Sequence, residues 1–151
     1  MLLAYFNIRS KLPSLNELVA SNREHWSSGA RLKKTTEEVI LWSIREAERF
    51  GRIGKITYPC YICIVWHERT RKRDPDNIFS GKKYILDAMQ KSGILDGDGQ
   101  KYVSGYYDEL VIDTYDGASV YVFTGDTGEK IQNTVREIIE EEKKENPHEV
   151  D

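Results

Sequence analysis

The chain has 151 residues, of which 39% are apolar and 31% are charged, and this composition suits one domain with a buried core. The longest apolar run, Cys60–Trp66, is far shorter than the roughly 18 residues that a membrane-spanning helix requires. The N-terminus carries no apolar segment with a cleavage signal, so we expect a cytoplasmic protein without membrane association.

The net charge of −3 is unevenly distributed along the chain. Residues 136–151 carry seven acids and three bases and therefore contribute −4, so the rest of the chain sums to +1. A nearly neutral body can still present a basic surface, and this balance does not exclude nucleic acid as a partner. We expect residues 1–135 to form one domain and residues 136–151 to be its acidic helix end or tail.

In the first third of the chain, alternating apolar residues over 2–8 predict a strand. A turn over residues 11–16 should follow, and then a short helix and a loop around residues 27–29. Thr35 and Glu38 have the spacing of a capping box, which predicts that a second helix begins there. The apolar residues expected on its buried face are Ile40, Ile44 and Ala47.

The remaining elements alternate between strands and helices. A strand is predicted over residues 60–68 and a helix over residues 75–92, with Gly93 at its end. An Asp-Gly pair joins predicted strands 110–115 and 118–124, which is typical of a tight antiparallel hairpin. With a last helix after residue 127, the pattern predicts a single α+β or α/β domain with a mixed β-sheet, containing an antiparallel hairpin and packed by helices.

The two cysteines, Cys60 and Cys63, have C-x-x-C spacing but lie inside a predicted strand. A structural zinc site needs four ligands, and the sequence offers no second cysteine pair. Residues three apart on a strand point to opposite faces of the sheet. We therefore expect two buried, unreactive thiols.

Residues 69–78, R-T-R-K-R-D-P-D-N-I, are the most informative segment. Four bases precede two carboxylates, Asp74 and Asp76, where a strand meets a helix. A purely structural interpretation is available, because Asp74 can cap the helix and Asp76 can complement its dipole. A second acidic turn contains Asp96 and Asp98, but it lacks the glycine and glutamate that a calcium-binding EF-hand loop requires.

Bases beside clustered carboxylates also suit phosphodiester cleavage. Carboxylate oxygens bind Mg²⁺, the ion activates water, and lysine or arginine side chains hold the phosphates. Without a divalent ion the same carboxylates would repel a DNA backbone. The pattern therefore indicates a metal-dependent nuclease as one hypothesis.

Taken in order, these motifs resemble the RusA family of crossover (Holliday) junction endodeoxyribonucleases. The resemblance is dense from Trp66 to about Gly105, and an early P-S-x-N element at residues 13–16 adds to it. The matching residues are Asp74, Asp76, Asn77, Ile78, Lys83, Asp87, Ala88, Met89, Gly93, Asp98 and Gln100.

This resemblance implies a homodimeric, Mg²⁺-dependent endonuclease, for which Mn²⁺ could substitute. Such enzymes resolve four-way DNA junctions by paired nicks in recombination and repair, and they are often encoded by phages or prophages. Asp74, Asp76 and Asp98 would be the catalytic, metal-binding acids, with Asp96 as the alternative third acid.

The family's characteristic lysine maps less directly, because the segment that ends at Asp87 is longer here than in the familiar pattern. Counting back from Asp87 gives Lys83, which we favour, with Lys82 as the second choice. Counting forward from Asp76 gives Ser80 instead. Asp87 itself we expect to be structural and paired with a neighbouring lysine.

The predicted helix raises a geometric difficulty for the third acid. A straight helix over residues 77–91 would be roughly 21 Å long, which starts Asp98 at the end remote from Asp74. Either the chain returns by a taut path after a shorter helix, or the partner subunit supplies the acid, or the helix begins later than residue 77.

Two further hypotheses come from other classes of protein. One is a catalytically silent junction-binding protein of the same fold, and the other is a metal-binding protein unrelated to DNA. Phosphate contacts would make DNA association steeply dependent on salt, whereas a metal-binding protein unrelated to DNA predicts no such association. The side chains expected to contact DNA are Arg69, Arg71, Lys72, Arg73 and Lys82.

Overall fold

The computed structural model describes residues 1–145, apart from the side chains of Leu15 and Trp26, and these residues form one four-stranded sheet with five helices. The strand order is β1-β4-β2-β3, with β3 parallel to β2 and β4 antiparallel to both of its neighbours. The predicted single α+β domain with a mixed sheet is confirmed. The elements are β1 (Leu2–Ile8), α1 (Leu15–Glu24), α2 (Trp26–Arg49), β2 (Cys60–Glu68), α3 (Pro75–Phe79), α4 (Lys82–Ser92), β3 (Val103–Ile112), β4 (Gly117–Phe123) and α5 (Gly128–Glu145).

The predicted hairpin of strands 110–115 and 118–124 is wrong, although both segments contain a strand. β2 lies between β3 and β4, and β3 begins at Val103, well before the predicted start. Gly117 belongs to β4 instead of a turn, and its φ is not among the positive values in the described chain. The local Asp-Gly signal is overridden because β2, with buried side chains along most of its length, pairs on both sides.

The sheet buries two different faces. Ile62, Ile64 and Trp66 of β2 pack in the larger core, which also contains residues of α2 and α4. Cys63 and Val65 pack in a smaller core with α5. The alternation of side chains along a strand produces this division. It also places Cys60 in the larger core, so the prediction of buried thiols on opposite faces is confirmed.

Helix α2 is longer than predicted and begins at Trp26, with His25 as its N-cap. The expected loop around residues 27–29 and the capping box at Thr35 are therefore wrong. The Thr35 hydroxyl instead donates to the Arg31 carbonyl oxygen one turn earlier, which satisfies a polar side chain inside a helix. The predicted buried face is confirmed at Ile40, Ile44 and Ala47.

The helix predicted over residues 75–92 is two helices, α3 and α4, separated at Ser80 and Gly81. A Cβ on Gly81 would lie only 3.3 Å from side-chain atoms of Leu12 and Trp66, so the corner packs tightly on the core. Gly93 ends α4 with φ of 85°, as predicted. This break turns the chain at the place where the motif residues lie.

Helix α5 extends through Glu145, so residues 136–145 continue a helix of the domain, and residues 146–151 lie outside the described range. Among the helices of residues 1–145, none combines the length and apolar character needed to span a bilayer.

Candidate functional site

Two exposed carboxylates, those of Asp74 and Asp76, lie next to the corner between α3 and α4. Asp74 precedes α3 in an extended conformation and makes no side-chain cap hydrogen bond, while Asp76 lies in the first turn. Both residues are exposed. Within residues 1–145 neither carboxylate has a hydrogen bond or an ion pair with a protein group. The side-chain capping by Asp74 that the purely structural interpretation requires is therefore not observed, and both groups are available to a ligand.

Two motifs that are far apart in sequence meet at this corner. The Asn16 side-chain amide donates to the Asn77 side-chain oxygen at 3.0 Å. Asn16 is held there because Ser14 caps α1 by accepting from the Glu17 backbone N–H at 3.1 Å. The P-S-x-N element thus supports the D-x-D-N motif directly.

Lys83 lies in the first turn of α4 and forms an ion pair with Asp87, with 3.1 Å between Nζ and Oδ1. The pairing of Asp87 with a lysine is thus confirmed. The pKa of Lys83 is raised, chiefly by the hydrogen bond and charge of Asp87, and Asp98 raises it further. Asp98 also contributes to the raised pKa of Tyr106, after burial. Asp98 therefore lies on the same side of the molecule as the start of α4.

The break at Gly81 replaces the single long helix by the shorter α3 and α4, which reduces the distance along which Asp98 would have to return. Asp96 lies in a different environment, since its backbone N–H donates to the Tyr58 hydroxyl at 2.8 Å. Ser80 donates its hydroxyl to the Asn77 carbonyl oxygen at 2.7 Å. The Ser80 contact favours a lysine over Ser80 for the cationic role, and the choice between Asp98 and Asp96 stays a prediction.

Lys82 is held by an acid that sequence reasoning missed. Its Nζ lies 2.6 Å from Oδ2 of Asp108 and 4.7 Å from the centre of the Tyr106 ring. The other Asp108 oxygen accepts from the indole N–H of Trp66 at 2.9 Å. Asp108 lies opposite Ile64 in the β2–β3 pairing, so only that register reveals its position.

The four bases before Asp74 have different environments. Arg73 is used within the protein, since its guanidinium binds Glu68 at 2.8 Å and the Leu12 carbonyl oxygen at 3.1 Å. Arg69 contacts Asp116 at 3.1 Å, yet its side chain is 66% exposed. Arg71 and Lys72 are exposed. Arg69, Arg71 and Lys72 can therefore form a cationic rim, while Arg73 anchors the loop.

The arrangement of acids bears on metal binding. Residues 1–145 contain no group of three or more His, Cys, Asp or Glu side chains placed to hold one metal ion. Mg²⁺ commonly binds one or two carboxylates together with waters and substrate phosphates, without a complete protein cage. The exposed, unpaired carboxylates of Asp74 and Asp76 fit this mode of binding, and convergence of all three acids on one ion stays a prediction.

His67 lies in a buried hydrogen-bond network instead of a metal site. His67 Nδ1 lies 2.8 Å from Asp113 Oδ2, and Nε2 lies 2.8 Å from Ser119 Oγ. The ring stacks on Tyr115 at 4.7 Å. Burial lowers the pKa of His67, although Asp113 opposes this shift, so the imidazole is neutral at pH 7. Both nitrogens are committed to protein partners.

The two buried thiols are unreactive near neutral pH. Burial raises the pKa of Cys63 to about 12 and also raises the pKa of Cys60. Since the thiolate is the reactive form, neither residue suits redox or nucleophilic chemistry near pH 7.

Comparison with models of protein families and with curated proteins gave no match. Functional interpretation therefore depends on the residues and contacts described above.

Proposed function

We propose that the protein is a Mg²⁺-dependent endonuclease that resolves four-way (Holliday) DNA junctions by paired phosphodiester hydrolysis in recombination and repair. The observation that carries this proposal is the α3–α4 corner, where Asp74 and Asp76 are exposed and unpaired beside the Asn16–Asn77 contact. The resemblance of these motifs to the RusA family supplies the junction as substrate.

Each residue of the corner has a role that follows from its surroundings. Asp74 and Asp76 would hold the ion, which activates water and stabilises the leaving oxygen. Lys83 stays protonated, because Asp87 and Asp98 raise its pKa, and it contacts a phosphate as a cation. Lys82 is held on the same side of the molecule by its ion pair with Asp108, which balances its charge. The exposed bases Arg69, Arg71 and Lys72 position the DNA backbone.

A homodimer follows from the reaction we propose. Two symmetric strands must be nicked together, and a twofold dimer presents two equal sites to a junction of matching symmetry. The proposed third acid is Asp98, from either subunit.

The test is cleavage of a four-way junction labelled on each strand in turn, with a linear duplex of the same sequence as control. We expect paired, symmetric nicks in the junction with Mg²⁺ or Mn²⁺, little cutting of the duplex, and none in EDTA. A junction that stays intact with both ions contradicts the proposal.

A catalytically silent junction-binding protein is the second candidate, and the exposed side chains of Arg69, Arg71 and Lys72 favour it because phosphate contacts need no metal ion. It predicts salt-dependent binding to the same junction with no cleavage under any divalent ion. Absence of salt-dependent binding would exclude both candidates and leave a metal-binding protein unrelated to DNA.

A further inference from the structure

A concave surface lies away from the α3–α4 corner. It is a cavity of about 1360 Å³ between the end of α2, strand β1 and the end of α5. Asp74, Asp76, Lys82, Lys83 and Asp98 are not among the residues that line it. The proposed nuclease reaction therefore gives this surface no role.

Large aromatic side chains are exposed in this cavity. Trp42 is 68% exposed and Phe50 is 65% exposed. Both line the cavity together with Tyr5 of β1 and Tyr115 of the segment between β3 and β4. A single exposed aromatic residue needs no explanation, but two in one concavity provide flat surfaces on which planar ligands can stack.

Four arginines line the same cavity: Arg9, Arg45, Arg49 and Arg52. None of them forms an ion pair in the part of the chain that the structure describes. Instead, the Arg52 guanidinium lies 5.3 Å from the Phe50 ring centre, and that of Arg9 lies 4.5 Å from Tyr115. Lys143 also lines the cavity, so its five bases exceed its four acids, Glu46, Asp113, Glu142 and Glu145, by one.

On α2 the two kinds of side chain form one stripe. Trp42, Arg45 and Arg49 are separated by three and four residues, so they occupy successive turns on the same face of the helix. Phe50 and Arg52 continue the surface just beyond the helix end. Aromatic rings interleaved with guanidinium groups match the repeat of bases and phosphates along a nucleic-acid strand.

The acids in the cavity restrict the type of nucleic acid. Asp113 is committed to His67 at 2.8 Å, and Glu46 lies among the arginines of α2. Glu142 and Glu145 line the same cavity from the end of α5. Cations on α2 with acids on α5 suit one phosphate backbone, whereas a duplex would place a second backbone near the acids. Stacking on Trp42 and Phe50 also requires unpaired bases with a free face, whereas the bases of a duplex are stacked on one another.

We propose that this cavity binds single-stranded nucleic acid, with bases stacked on Trp42 and Phe50 and phosphates held by Arg9, Arg45, Arg49 and Arg52. The site is independent of the proposed cleavage reaction, since it needs neither the divalent ion nor the acids of the α3–α4 corner. DNA and RNA strands share the required chemistry.

The test is fluorescence anisotropy of labelled oligothymidine and oligouridine, measured in EDTA against a duplex of equal length. We expect saturable binding to the single strands and weaker binding to the duplex, with comparison of the two oligomers deciding between DNA and RNA. Four phosphate contacts predict a slope of about −3 for log affinity against log salt, since each contributes roughly −0.7 on a single strand.

Variants assign the binding to this surface. Trp42→Ala should weaken binding by about tenfold, and Arg49→Ala should reduce the steepness of the salt slope by about 0.7. Trp42→Phe should keep most of the affinity but lose most of the tryptophan quenching that the oligomer causes. Lys33→Ala, an exposed change elsewhere on α2, is the matched control and should alter neither quantity.

Three outcomes would overturn the proposal. The first is no saturable binding of either oligomer at low salt. The second is binding that Trp42→Ala and Arg49→Ala leave unchanged, which places the strand elsewhere. The third is a change of oligomeric mass in Trp42→Ala, which means that a second copy of the chain covers this surface. Because the assay contains EDTA, failure of junction cleavage leaves all of these results interpretable.

Discussion

Replacement of Asp76 by asparagine should abolish cleavage of four-way junctions while junction binding stays at wild-type affinity or becomes tighter. Asparagine has the same shape but lacks the charge that attracts Mg²⁺, and loss of a carboxylate also reduces repulsion of the DNA backbone. Residues that merely support metal ligands cost roughly 10–100-fold when changed, so loss of a ligand should cost at least about 100-fold in rate.

The fold should tolerate this change, because the Asp76 side chain has no partner within residues 1–145. Its backbone carbonyl, which accepts from the Ser80 N–H at 3.1 Å, is unchanged. Rates from single-turnover cleavage and affinities from gel shifts in EDTA provide the comparison. Glu38→Gln removes an exposed acid of α2 and should cut at the wild-type rate. Equal loss of binding and cleavage in Asp76→Asn would assign Asp76 to folding or docking instead.

Gly117→Ala should lower the free energy of unfolding by about 3 kcal/mol, which is the upper part of the usual range for overpacking. A Cβ at this position would overlap the Ile8 carbonyl oxygen and lie 3.1 Å from the Ile8 carbonyl carbon. Both atoms belong to the backbone of β1, so the strand itself would have to move. Urea unfolding followed by circular dichroism gives the change.

Asparagine at the same position distinguishes a strand from a turn. In a tight hairpin turn with positive φ, asparagine is well tolerated. In β4, Gly117→Asn should be as harmful as Gly117→Ala, because any Cβ meets Ile8. Gly51→Asn is the control for a glycine with positive φ, since the φ of Gly51 is 69° and a Cβ there would meet no atom within 4 Å. Near-wild-type stability of Gly117→Asn would contradict the strand pairing described here.

Local patterns predicted the elements better than their pairing. The alternation of residues 2–8 and the apolar run of residues 60–68 gave β1 and β2 with their observed bounds, because each pattern reports burial of that segment alone. The partner of β3 depends on a parallel crossover through α3 and α4, and local sequence carries no record of such a connection. The break at Gly81 likewise depends on contacts with Leu12 and Trp66.

Likewise, part of the candidate site could be predicted from the sequence and part could not. Residue type and spacing identified Asp74 and Asp76 as candidates, since residues adjacent in sequence stay adjacent in space, whereas Lys83 came from the resemblance to the RusA family. Asp108 was missed because its contact with Lys82 exists only through the β2–β3 register. The internal role of Arg73 was missed because its partner oxygens on Glu68 and Leu12 are defined by tertiary structure.

The central claim is that acids of the α3–α4 corner hold a divalent ion. Anomalous diffraction from crystals grown with Mn²⁺ and an uncleaved four-way junction tests it most directly. We predict a manganese peak within coordination distance of the Asp76 carboxylate, with Asp74 or Asp98 and a DNA phosphate as further ligands. Well-ordered DNA at this corner with no manganese peak near Asp74 or Asp76 would contradict the claim.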